Sequence, residues 1–171
     1  MTLFHKAVEF ATARHAGHKR DYTGEPYLGH LLAVAELVKL TGARDAVLAA
    51  AVLHDVLEDT DTTADELRAE FGAEVANLVV EVTSVYRSGL GYGDRATRKA
   101  MERARLAATS ADAHTIKVAD ILDNTKNVAE VAPDFAKVYL PEKAAMLAVL
   151  TKAHPVLLAK ATNLKGANDD R

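Results

Sequence analysis

The segment His54-Asp55-Val56-Leu57-Glu58-Asp59 puts an imidazole and three carboxylates into about one and a half helical turns. It directly follows the unbroken apolar run from Ala46 to Leu53, and Asp61 lies just beyond. Read as helix, positions 54 and 58 share one face, and 55 and 59 share another. This is an electrostatically poor way to end a helix. Carboxylates oppose the negative end of the dipole, and like charges at i,i+4 repel by a few tenths of a kcal/mol. A bound divalent metal would relieve both. Two further positions carry suitable donors: His30, at the start of a helix, and Asp120, inside Thr115-Ile116-Lys117-Val118-Ala119-Asp120. Two imidazoles and two carboxylates suit a borderline or hard ion such as manganese, iron or zinc. Water in the open positions would become a usable nucleophile. The chain has no cysteine, so a thiolate zinc site, a disulfide frame and a cysteine nucleophile are all excluded.

The elements that must position these groups read as helices almost throughout. Thr2 can cap a first helix through about His15, with Leu3, Ala7, Phe10 and Ala11 on one stripe. A polar turn from Gly17 to Gly29 follows, and a second helix runs from His30 to Leu40. The third, from about Ala43 to Glu58, is apolar nearly all round in its second half and should be the buried centre. Thr62-Thr63-Ala64-Asp65 resembles a capping box opening a short fourth helix, which stops at Phe71-Gly72. A fifth spans Ala73 to Val85, with Val75, Leu78, Val79 and Val82 inward. Ser88 to Gly93 holds three glycines and must be loop, and the stretch from Tyr86 to Gly93 is either a lid or a plain connector. Asp94 caps a sixth helix to about Ala108, and Ala113 to Asn127 forms a seventh. Beyond Pro133 come two or three more, including Pro141 to Lys152 and one beginning near Pro155. Residues Gly166 to Arg171 should fray. The expected fold is one all-α domain over residues 1–171, a bundle of roughly eight to ten helices.

The chain is 171 residues long, 49% hydrophobic and 26% charged, which suits a single globular domain. A net charge of −3 offers no basic footprint for nucleic acid. No run approaches the ~18 apolar residues of a membrane helix, and Met1 opens without a signal-peptide pattern, so a cytoplasmic location is expected.

A string of motifs then carries a resemblance. Phe10-Ala11-x-x-x-His15 and Gly24-Glu25-Pro26-Tyr27-x-x-His30 come first, followed by Ala50-Ala51-Val52-Leu53-His54-Asp55-Val56-Leu57-Glu58-Asp59-Thr60-Asp61-Thr62-Thr63. Phe71-Gly72-x-x-Val75 and Lys117-Val118-Ala119-Asp120-x-x-x-Asn124 complete it. Over about residues 3–127 the chain resembles the HD-domain metal-dependent phosphohydrolases, and among them the hydrolase domain of the Rel/Spo alarmone enzymes and their small stand-alone relatives. The resemblance implies a helical HD bundle whose metal ligands are His30, His54, Asp55 and Asp120, usually holding manganese. It implies that Glu58 and Asp59 orient or deprotonate the attacking water and that Arg20 and Asn124 face the nucleotide; Lys19 could supply the second cation from the other side of Arg20. The implied reaction removes the 3′-pyrophosphate of guanosine tetraphosphate or pentaphosphate to leave GDP or GTP.

Some positions depart from the family pattern: Leu31 follows His30, Asp21 follows Arg20, His18 stands in the loop, and Thr83-Ser84-Val85-Tyr86 replaces an acidic stretch. These touch substrate identity more than metal chemistry. Two alternatives therefore stay open, a related hydrolase of another phosphorylated nucleotide and a non-catalytic nucleotide-binding module. No synthetase or regulatory region is expected after the last motif. His15 and His18 are expected to be structural or surface residues, and Arg98-Lys99 either a solvated basic face or a phosphate contact.

Overall fold

The computed structural model describes residues 2–166, with side chains as far as Ala161. Of the stretch expected to fray, the residues after Gly166 lie outside this range. The described residues form ten helices and no strand. In chain order they are α1 (Leu3–Arg14), α2 (Leu28–Lys39), α3 (Asp45–Val52), α4 (Val56–Asp59), α5 (Ala64–Val82), α6 (Arg95–Ala107), α7 (Ala111–Thr125), α8 (Val128–Val131), α9 (Pro133–Leu147) and α10 (Pro155–Gly166).

The capping residues act much as their types require. Side-chain oxygens of Thr2, Asp94 and Ser110 accept the backbone N–H three residues on, satisfying donors that each first turn leaves unpaired. In α5 the cap is Thr63, which accepts Glu66 N–H, so the helix starts one residue later than the Thr62–Asp65 pattern suggests. Glu66 does not return to the cap; its carboxylate pairs with Arg14 of α1.

Helix α3 is the buried centre, packed against α1, α2, α5 and α7. Ala46, Ala49, Ala50 and Ala51 give it small residues on every side, and Ala7 and Ala11 of α1 meet it fully buried. Small side chains allow close helix approach, while Val47, Val52 and Leu53 fill the remaining space.

Several elements differ from the sequence expectation, the short α8 before Pro133 among them, where no helix was expected. The fourth and fifth expected helices run together as α5, kinked at Gly72, whose φ of 83° and ψ of 169° suit almost only glycine. Gly72→Ala should therefore destabilise the protein by about 1–3 kcal/mol although the space around the site is open. Urea unfolding measures this, and an unchanged midpoint would contradict the kink. Pro141, expected to open a helix, sits inside α9, where contacts with α6, α7 and α8 and the Arg95–Glu142 ion pair hold the backbone through it. The expected central helix ending at Glu58 is broken, and its break lies at the residues of interest.

Candidate metal and nucleotide site

Helix α3 stops at Val52. Leu53 donates back to Ala49, and Val56 then closes a tighter i−3 bond to Leu53. Between them the Ala51 carbonyl accepts the His54 Nδ1–H at 2.8 Å instead of a backbone N–H. An imidazole competing for a backbone acceptor ends the helix and fixes its own ring. The one continuous helix expected through Glu58 is therefore interrupted, although Asp55 and Asp59 keep their one-turn spacing. Glu58 and Asp59 both donate their N–H groups to Asp55 O from the separate short turn α4. Asp61 lies outside the site, exposed and paired with Arg14.

Four residues from three separated parts of the chain meet at this break. His30 comes from the first turn of α2, His54 and Asp55 from the break, and Asp120 from the middle of α7. His30 Nε2 lies 3.6 Å from Asp55 Oδ2 and 3.4 Å from Asp120 Oδ1. His54 Nε2 lies 3.0 Å and 3.7 Å from the same two oxygens. Ligands that stand about 2 Å from a common cation are separated by about 3–4 Å, so this spacing fits one ion. The donor atoms of His30, His54 and Asp55 all fall within 4.8 Å of one another.

The hydrogen bonds decide which ring atoms are available. His54 Nδ1 donates to a carbonyl, and His30 Nδ1 donates to Asp123 Oδ2 at 2.7 Å. Both Nε2 atoms are then left buried without a hydrogen-bond partner. Two imidazole nitrogens aimed at two carboxylates form a donor set suited to a divalent ion.

The charges around them agree. Burial alone would lower the imidazole pKa values, but the surrounding carboxylates, Asp120 and Asp123 at His30 and Asp55 at His54, raise them to about 9 and about 10. Asp55 and Asp120 lie well below the usual carboxylate range despite burial, held there chiefly by His54 and Lys117 respectively. In the metal-free protein both rings are thus protonated at neutral pH, and a dication must displace those protons. Metal binding at pH 7.5 should release between one and two protons and tighten as pH rises toward 9. Titration calorimetry in two buffers of different ionisation enthalpy reads the number, and zero protons released would contradict the ligand set.

Three residues without an assigned role in the sequence complete the surroundings. The Tyr27 hydroxyl donates to Asp55 Oδ2 at 2.6 Å. Lys117 Nζ holds the second oxygen of Asp120 at 3.0 Å, and Asp120 with Glu58 keeps that ammonium charged against the cost of burial. Asp123 holds His30. Lys117 and Asp123 stand three residues either side of Asp120, a helical spacing visible in the sequence but silent about partners.

Glu58 is half-buried, and its Oε1 accepts the Ser84 N–H at 2.6 Å. Burial raises its pKa against the pull of Lys117. Asp59 is exposed on a pocket of about 600 Å3, its pKa raised by the surrounding protein and by Asp55. Lys19, Arg20 and Asn124 line the same pocket. Arg20 donates to Asn124 Oδ1 at 3.0 Å, and Asn124 in turn donates to Asp120 Oδ1. A tight turn presents Arg20: its N–H pairs with Glu25 O, its carbonyl accepts Gly24 N–H, and Gly24 takes a φ of 71°. Lys19 stays exposed at the rim. Aromatic rings line the pocket as well. Phe135 stacks on Tyr22 at 5.3 Å and on Tyr139 at 4.8 Å between ring centroids.

His15 is buried and stacks on Tyr27, while His18 lines the pocket. Arg98 is committed to the Gly93 carbonyl. The 86–93 loop is tied to the site, since Arg87 donates to Glu58 O at 3.0 Å.

A helical bundle with paired histidines and aspartates converging at a helix break defines the HD class of metal-dependent proteins. The chain matches the HD-domain family over residues 7–153 and belongs to it. Among its relatives is human MESH1, a guanosine-3′,5′-bis(diphosphate) 3′-pyrophosphohydrolase. It is 39% identical over 137 residues, 75% of this chain and 71% of that protein. A pyrophosphohydrolase of the same name from Aquifex aeolicus is 36% identical over 146 residues, which cover 80% of this chain but only 20% of that longer protein. The solved structure of a metazoan ortholog of SpoT that hydrolyses ppGpp superposes with a TM-score of 0.88 at 26% identity, covering 98% of this chain and 96% of that one. Among the described residues no helix is long and apolar enough to cross a membrane.

Proposed function

We propose that this protein is a metal-dependent 3′-pyrophosphohydrolase of guanosine 3′,5′-bis(diphosphate), releasing GDP and diphosphate in the cytoplasm. The observation that carries the reading is the convergence of two bare Nε2 atoms on Asp55 and Asp120 beside a pocket lined by Arg20 and Asn124. His30, His54, Asp55 and Asp120 would hold the cation, with manganese favoured and iron or zinc compatible with the same nitrogen and oxygen donors. Bound there, the cation supplies charge neutralisation to the pyrophosphate and acidity to a water.

The chain's own residues do the rest. Glu58 feels the charges of both Asp55 and Asp120, and its Oε1 is pinned by Ser84, leaving Oε2 to take a proton from the attacking water. Its raised pKa brings it closer to neutrality, where a base transfers protons most effectively. Asp59 orients the reactants from the pocket side. Lys19 and Arg20 offset phosphate charge, which matters because phosphoryl transfer depends mainly on alignment and charge stabilisation. The Tyr22–Phe135–Tyr139 wall offers the base an aromatic surface.

Arg20 contacts phosphate in the ground state as well as the transition state in this account. Arg20→Gln should therefore raise KM about tenfold or more while lowering kcat less, as loss of a charge-assisted bond of ~1.5–3 kcal/mol requires. Steady-state kinetics with ppGpp measure the split, and an unchanged KM would reduce the loop to scaffold. The reading itself is tested by a substrate panel with manganese present: ppGpp, GTP, GDP and a phosphorylated dinucleotide. Highest kcat/KM for ppGpp supports it. Preference for another member moves the protein to a different nucleotide, and no turnover at all marks a binding module.

A further inference from the structure

The two histidines facing the cation position are held in different ways. His54 Nδ1 gives its proton to a backbone carbonyl, whereas His30 Nδ1 gives its proton to a carboxylate, Asp123 Oδ2, at 2.7 Å. Asp123 is 5% exposed, so this contact is shielded from water. Its other oxygen accepts Lys126 Nζ at 2.7 Å, and Arg20 Nη2 lies 3.8 Å from Oδ2. Lys126 and Arg20 thus flank the carboxylate, while His30 takes the short bond at Oδ2.

Helix α7 supplies both sides of the same ring. Asp120 Oδ1 stands 3.4 Å from Nε2, and Asp123, three residues on, binds Nδ1. The i,i+3 spacing makes this possible, since both carboxylates leave one helix face. A neutral imidazole carries one proton, and the acceptor at Nδ1 decides where it sits. With a carboxylate there, the Nδ1–H form is held, the ring cannot turn, and the Nε2 lone pair becomes a better donor.

We propose that Asp123 is a positioning residue that fixes His30 as an Nε2 donor and tightens cation binding without touching the cation. The inference rests on the metal-binding reading given under Proposed function. Arg20 links this arrangement to the nucleotide loop, because it reaches both Asp123 and the Asn124 that backs Asp120.

Two measurements on the full chain test it. Manganese affinity is measured by competition titration for the wild type, Asp123→Asn and Asp123→Glu, with thermal unfolding of each as a control for folding. Asp123→Asn should weaken manganese binding about 10–100-fold, and Asp123→Glu should restore part of it. Equal affinity of wild type and Asp123→Asn within twofold overturns the proposal. In parallel, 15N-resolved NMR of the zinc-loaded wild type should show His30 with a protonated, hydrogen-bonded Nδ1 and metal at Nε2. Protonation at Nε2 overturns it, and this spectrum decides even where a variant does not fold. A wild type that binds neither metal removes the metal reading itself, whereas one that binds both and ignores position 123 removes only the role of Asp123.

Discussion

Asp55→Ala is expected to yield protein without bound metal and to lower kcat/KM for ppGpp by at least about a thousandfold. A metal contributes several kcal/mol of transition-state stabilisation, and ~4 kcal/mol is a factor of about a thousand. Asp55 Oδ2 has three close polar neighbours: it lies 3.0 Å from His54 Nε2 and 3.6 Å from His30 Nε2, and accepts the Tyr27 hydroxyl. Removing it leaves one carboxylate to face two imidazoles and strands the phenol, which alone costs about 1–3 kcal/mol. Elemental analysis and diphosphate release check the prediction together. Full metal occupancy in the variant would show that the four-residue ligand set is wrong.

Glu58→Gln should behave differently. The amide oxygen can still accept the Ser84 N–H, and no proposed ligand is changed, so metal content should match the wild type. Loss of a general base predicts a fall in kcat of about 10^2–10^4-fold with KM little altered. The pH profile supplies a second readout. Glu58 must be ionised to accept a proton, so wild-type activity rises with pH through a value above the ordinary glutamate range, because burial raises its pKa. That limb should vanish in Glu58→Gln. Asp59→Asn, at a more exposed position, should lose less; a larger loss there would reverse the two assignments.

Much of the scaffold could be read from residue types because local chemistry set it. Thr2, Asp94 and Pro155 start helices where capping and first-turn preferences put them, and Phe71-Gly72 marks a real discontinuity. The break at Leu53 could not be read, since Val-Leu-His-Asp-Val-Leu-Glu-Asp holds no glycine or proline and the capture of Ala51 O by His54 Nδ1 lies in side-chain geometry. Pro141 misled in the opposite direction: its local preference favoured a helix start, and tertiary packing overrode it. The convergence of His30, His54, Asp55 and Asp120 was legible through the motif that carries them. Tyr27, Lys117 and Asp123 were not assigned: Tyr27 and Asp123 act on residues far away in sequence, and Lys117, although three residues from Asp120, shows no partner in its spacing alone. The Asp123 contact to His30, for example, spans 93 positions.

Cleavage of the 3′-pyrophosphate of ppGpp by this chain is proposed to depend on a bound divalent cation. Its most direct test is to strip the protein with chelator, add ppGpp, and follow nucleotide and diphosphate by anion exchange before and after manganese is restored. The account predicts no product in the stripped protein, then GDP and diphosphate in equal amounts once manganese is present. No GDP from protein whose bound manganese has been confirmed would contradict it.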